Sequence, residues 1–172
     1  MKNIICQFLQ ENKMKNNPTL DKALSIAYKF LNYRPRTEKE VRTKLINKKI
    51  DDEIIEAVIE KLKDYNYLND RDFCKNWIDY RLKLKPMGKS RLFQELVQKG
   101  VAPQLVSEIL ESEIDIYLEE EVVRQLIKKQ ANKYLNKHNG LNKLKSFMLR
   151  RGFTIETVNK ILIELGITET HW

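Results

Sequence analysis

The chain has 172 residues, 42% of them hydrophobic, and a formal net charge of +8, so it carries enough apolar residue to build a packed interior and too much to be disordered throughout. The positive balance points to a polyanionic partner, either nucleic acid or a protein that carries nucleic acid. Cys6 and Cys74 lie far apart with no CxxC spacing, which suggests neither a disulfide framework nor a zinc site and makes a reducing cytoplasm the simplest compartment.

Residues 1–20 read as a lead-in. The run MKNIICQFLQ is only briefly apolar, is broken at once by Gln7, Gln10 and Glu11, and fits neither a signal peptide nor a membrane span. From Asp21 the chain divides into three helical units, 21–68, 69–115 and 116–165, with a short tail at 166–172. In the first unit Arg34-Pro35 stops a helix, and Thr37 with Glu40 three residues on forms a capping box that opens the next. Asp51 then precedes a helix whose stripe is Ile54, Ile55, Val58, Ile59 and Leu62. In the second unit Lys85-Pro86 is the matching stop, and Ala102-Pro103 opens the third helix. In the third, Thr154 precedes the stripe Val158, Ile161, Leu162 and Leu165.

The units are copies of one another at a spacing of about 51 residues. Leu45, Leu96 and Met148 share a column, as do Lys48, Lys99 and Arg151, and each is followed by Ile50, Val101 or Phe153 in another shared column. Gly100 and Gly152 stand where a left-handed helix stop is required, but Lys49 occupies that column in the first unit, so the first turn is expected to be strained or differently shaped. No stretch alternates with period two for long enough to argue for a sheet. The expected fold is all-α, an elongated array of three tandem three-helix repeats in a monomer, with function on an extended surface and not in a pocket.

Little points to catalysis. His138 and His171 are framed by neither carboxylates nor cysteines, the five glycines are explained by helix boundaries and not by a phosphate loop, and Glu119, Glu120 and Glu121 read as a solvated helix start. No enzyme activity, metal, cofactor or small-molecule substrate is expected. Charge is more informative. From Arg124 to Ile155 there is no Asp or Glu, while Arg124, Lys128, Lys129, Lys133, Lys137, Lys143, Lys145, Arg150 and Arg151 all fall there. A smaller run, Arg81, Lys83, Lys85, Lys89 and Arg91, lies about the first interhelical connection of the second unit, and Arg34 and Arg36 lie at its first-unit counterpart. Stacked repeats would bring such connections onto one edge and line up a cationic track. Tyr33, Tyr65, Tyr67, Tyr80 and Tyr134 are interspersed with these charges, although tyrosines pack between helices more often than they stack on bases.

The segment YNYLNDRDFCKNWIDYRLKLKPMGKSRLFQELVQKGV resembles the central signature of the RecX regulatory family, with Tyr67, Leu68, Asp70, Phe73, Arg81, Gly88, Arg91, Glu95, Leu96, Lys99, Gly100 and Val101 matching in order. ALSIAYKFLNYRPRTEKEVRTKL is similar to the family's first repeat and FMLRRGFTIETVNKIL to its last, so the likeness runs from about Ala23 to Leu165. Asn66 and Lys49 depart from it, each standing where the family commonly has Gly. The resemblance implies a modulator, usually an inhibitor, of the recombinase RecA. Such a protein would lodge in the groove of the RecA filament on single-stranded DNA and limit its extension, ATP turnover and strand exchange, and it has no catalytic residues to carry over. Arg81, Arg91 and Lys99 are the contact candidates that also match the signature. Two other readings stand beside this one. A helix-turn-helix protein could place a third helix in the major groove, although DDEIIEAVIEKL and PQLVSEILESE carry acids that DNA would repel. A helical scaffold for unrelated proteins would explain the array but not the acid-free run.

Overall fold

The computed structural model describes residues 18–167, and the expectations for the lead-in's first 17 residues and for the end of the tail lie outside them. Among the described residues the structure is helical throughout, without strands. Its elements are α1 (Pro18–Leu31), α2 (Glu38–Ile46), α3 (Asp52–Asp64), α4 (Asp70–Leu84), α5 (Lys89–Gln98), α6 (Pro103–Glu113), α7 (Ile116–Tyr134), α8 (Gly140–Arg150) and α9 (Ile155–Glu164). The chain forms two compact units, one ending at Asn69 and the other beginning at Asp70.

In the first unit, α1 contributes Ala23, Leu24, Ala27 and Tyr28 to the core, α2 contributes Val41 and Leu45, and α3 contributes Ile55, Val58, Ile59 and Leu62. The capping box at α2 is complete, with the Glu40 backbone N–H donating to Thr37 Oγ1 and the Thr37 backbone N–H donating to Glu40 Oε2. The second unit holds two such helix sets. Phe73, Cys74, Ile78, Leu92, Leu96, Val106 and Ile109 bring α4, α5 and α6 together, and Val123, Ile127, Leu144, Met148, Val158 and Ile161 do the same for α7, α8 and α9. Cys74 is fully buried, and that burial pushes its thiol up to about 12.

The repeated columns have a specific backbone meaning. After α2, α5 and α8 the N–H of Ile50, Val101 and Phe153 donates to the carbonyl of Leu45, Leu96 and Met148, and the preceding N–H of Lys49, Gly100 and Gly152 donates to Ile46, Val97 and Leu149. This is the paired closure of a Schellman stop, in which the residue before the last donor must be left-handed and the two outer residues make an apolar contact. Leu45, Leu96 and Met148 are all fully buried. Gly100 and Gly152 have φ of 97° and 85°, and Lys49 keeps the same left-handed conformation at 57°. The first turn therefore has its siblings' hydrogen bonding but bears the steric cost of a Cβ. Asn66, with φ of 55°, does likewise after α3, where Tyr67 N–H donates to Leu62 O. Both departures from the family pattern thus fall on left-handed residues, one of them on Asn, which tolerates that region better than most.

Within the second unit the two helix sets meet backbone to backbone. Gly88 N–H donates to Arg151 O at 2.9 Å, and the Arg151 guanidinium donates to Pro86 O at 2.9 Å. A Cβ on Gly88 would collide with the Gly152 carbonyl, and one on Gly152 would lie 2.5 Å from Arg91 N. Close packing therefore demands glycine at both positions, quite apart from the left-handed requirement at Gly152. Glu119 of α7 adds a third tie by accepting the backbone N–H of Lys89 in the first turn of α5. Burial pushes the Glu119 carboxyl above its usual range, against the opposing pull of the Lys89 charge and N–H.

Candidate polyanion interface

The cations singled out in the sequence fall into two physical groups. Members of the first are engaged with acids, aromatic rings or backbone carbonyls of the fold. Arg34 donates to Glu40 at 2.7 Å and to Pro35 O at 2.9 Å, while the Arg36 guanidinium lies 4.1 Å from the centre of the Phe30 ring and 3.7 Å from Glu40. In α4 the Arg81 Nε donates to Glu95 Oε2 at 2.8 Å, the same oxygen that accepts Trp77 Nε1 at 3.1 Å. Arg81 lies 4.7 Å and Lys99 4.1 Å from the Trp77 ring centre, so one indole carries two cations and shares a carboxylate with one of them. The Arg81 and Glu95 side chains are only 17% and 13% exposed. These signature residues build the α4–α5 junction. Arg124 pairs with Glu121 at 2.8 Å and Glu164 at 2.6 Å, fastening α7 to α9, and Arg151 is held by Pro86 O and lies over Phe147 at 4.9 Å.

The second group points into solvent. Lys85, Lys128, Lys133, Lys137 and Arg150 are exposed and make no ion pair within 4 Å among the described residues. Arg91 is 47% exposed and sits 3.9 Å from Glu95, Lys83 pairs with Asp79 in full view of solvent, and Lys89 is half-buried at the start of α5. Most of the outward cations thus lie on α7 and α8 and at the nearby seam with α5. Acids on the third helices are drawn into cross-helix pairs: Glu56 with Arg42, Glu108 with Arg71 at 2.7 Å, Glu113 with Lys75 at 2.8 Å. Of the interspersed tyrosines, Tyr33, Tyr65 and Tyr80 are exposed, Tyr67 packs edge-on against Tyr28, and Tyr134 packs on Phe147 at 5.4 Å.

Sequence reasoning named Lys143 and Arg150 but missed the uncharged polar residues Asn139, Asn142 and Ser146 that lie between them. A depression of about 280 Å³ on α8 is bounded by Tyr134, Asn139, Asn142, Lys143, Ser146 and Arg150, and an adjoining one of about 450 Å³ continues past Arg150 to Arg91 and Met87. The helical spacing of Asn139, Asn142, Lys143, Ser146 and Arg150 was the available signal. The contribution of Arg91 was not readable, because it arrives across the Gly88–Gly152 seam from a different helix set. No described helix is long and apolar enough to cross a membrane, and no cluster of metal-ligating side chains occurs among the described residues.

Comparison with known proteins bears on the helical fold. Residues 23–62 match the profile described as "RecX, first three-helix domain", and residues 69–110 match "RecX, second three-helix domain". The Regulatory protein RecX of Finegoldia magna is 33% identical over 142 residues, covering 81% of this chain and 69% of that protein, and the one from Prosthecochloris aestuarii is 34% identical, covering 84% and 93%. Other relatives are longer, and the chain spans 66% of the protein from Caldanaerobacter subterraneus and 58% of the one from Oceanobacillus iheyensis. The crystal structure of RecX from Lactobacillus salivarius superposes with a TM-score of 0.80 at 27% identity, covering 89% of this chain and all of that one. On these matches, the chain belongs to the RecX family.

Proposed function

We propose that this protein regulates the recombinase RecA by binding the RecA filament on single-stranded DNA and inhibiting or modulating its extension, ATP turnover and strand exchange, in the setting of DNA repair, homologous recombination and the SOS response. The carrying observation is the segregation of cations. In a chain of this family Arg34, Arg36, Arg81 and Arg124 are tucked against acids or aromatic rings, whereas Lys128, Lys133, Lys137 and Arg150 are exposed along an acid-free stretch that runs from α7 to α8. Such a surface suits a nucleoprotein filament that presents both carboxylate and phosphate. We further read α7, α8 and α9 as a third repeat in an elongated, monomeric, cytoplasmic protein that acts by occupancy without a catalytic centre. The deciding experiment adds the protein to RecA on single-stranded DNA and follows ATP hydrolysis and filament co-sedimentation beside a bare-DNA control. Slowed turnover at well under one protein per RecA is expected. Unchanged turnover at equimolar protein, with tight binding to DNA alone, would transfer the assignment to a direct DNA-binding protein.

A further inference from the structure

The depressions along α8 carry more than charge. Asn142, Lys143, Ser146 and Arg150 stand three, four, seven and eleven residues beyond Asn139, so the five share one face over about 16 Å of helix. Tyr134, half-buried and braced by the Phe147 ring, forms part of one wall. Asn142 Nδ2 donates to Asn139 Oδ1 at 2.6 Å, which orients the pair and leaves the Asn142 carbonyl oxygen as an acceptor and the Asn139 amide as a donor. Lys143 is steadied by donating to His138 O at 2.9 Å and retains two further N–H groups. Beyond Arg150 the second depression brings in Arg91, and neither depression is lined by an acidic residue.

We infer that this face of α8 directly binds a single strand of nucleic acid, with Lys143, Arg150 and Arg91 on successive phosphates and the Asn139–Asn142 pair with the Tyr134 edge against a base. This deepens the proposed function and rests on it, because it assigns the strand contact within the larger interface to one helix. An acidic peptide would use the cations but would leave the oriented donor–acceptor pair and the aromatic wall without a role, whereas a nucleotide engages all three. Braced side chains also lose less freedom on binding than unsupported lysines do.

The test measures fluorescence anisotropy of the full chain with a fluorescein-labelled oligothymidylate and with an abasic phosphodiester strand of equal length. The variants are Lys143→Gln with Arg150→Gln, Asn142→Leu, and a first-unit control, Lys22→Gln with Lys39→Gln, each checked for unchanged helicity. The double α8 variant should bind both strands roughly tenfold more weakly and lower the salt slope by ~1.4, the loss of two phosphate contacts on a single strand. Asn142→Leu should weaken the thymidylate strand but not the abasic one, and the control should change neither slope nor affinity comparably. Equal losses in the control, an Asn142→Leu variant blind to the base, or displacement of oligothymidylate by polyglutamate at equal charge would each overturn the inference, the last in favour of an acidic peptide. RecA turnover is assayed with the same proteins. Wild-type protein that binds the strand through α8 yet leaves RecA unaffected would keep this site while refuting the regulatory reading. Inhibition that survives in a variant unable to bind the strand would refute α8 as the strand contact within the interface.

Discussion

Arg81 is the residue at which the two groups of cations are most easily confused, so its replacement is the most discriminating perturbation. In Arg81→Ala the Glu95 carboxylate loses a 2.8 Å charge-assisted donor in a site where both side chains are mostly buried. Hydrogen bonds to charged groups contribute ~1.5–3 kcal/mol, and the guanidinium over the Trp77 ring adds ~0.5–1 kcal/mol. Glu95 still accepts from Trp77, and Arg91 at 3.9 Å can close on it, which compensates part of the loss. The net expectation is ~2 kcal/mol, which for a unit of about 100 residues corresponds to a fall in Tm of ~10 °C. Urea unfolding followed by circular dichroism measures this, with Lys128→Ala as an exposed control that should stay within ~0.5 kcal/mol of wild type. If Arg81→Ala unfolds like the parent while filament binding collapses, the assignment of Arg81 to the α4–α5 junction is wrong and it belongs on the contact surface.

Three further outcomes are expected. Lys49→Gly should raise stability by ~0.5–1 kcal/mol by relieving a left-handed residue, and a thermal melt showing no gain would mean that the Lys49 side chain makes a compensating contact. Burial raises the Glu119 carboxyl above its unfolded value, so its contribution is fully present below the ordinary 4.5 and is lost as pH rises through the folded value. Glu119→Gln keeps an oxygen for the Lys89 N–H and removes that loss, so the variant should gain on wild type as pH rises above the ordinary 4.5 in urea titrations, and a gap that narrows with pH would contradict the sign. Reversing Lys128, Lys133 and Lys137 to Glu should leave the melting temperature little changed, since exposed charges contribute no more than ~1 kcal/mol each, while filament binding weakens and becomes less salt-sensitive. Reversal of Lys22, Lys39 and Lys48 with an equal binding loss would show that only net charge matters.

Much of the architecture was legible because it is local. The capping box at Thr37, the helix starts at Asp51, Ala102 and Thr154, and the stops at Gly100 and Gly152 are contained within a few residues and fell where expected. Lys49 was rightly suspect, yet the sequence did not say that the turn would keep its geometry and bear the strain; the 6→1 hydrogen bond and buried Leu45 hold it there. The interface was less legible. Whether an arginine in a basic run is engaged or outward depends on partners such as Glu95, fourteen residues from Arg81, or Pro86, sixty-five from Arg151. Composition counts them all alike. The meeting of Gly88 with Gly152 was likewise invisible, since each glycine already had a sufficient local explanation at a helix boundary.

Cys74 offers a use that its packing alone does not announce. A thiol that is fully enclosed and reluctant to ionise does not react with a thiolate-selective alkylating reagent from the native state, so its labelling rate reads the opening of the core around α4, α5 and α6. With Cys6 replaced by serine, the chain would carry a single built-in clock for that opening. The same residue would register, without any attached probe, whether engagement with a partner tightens this part of the molecule or pries it apart.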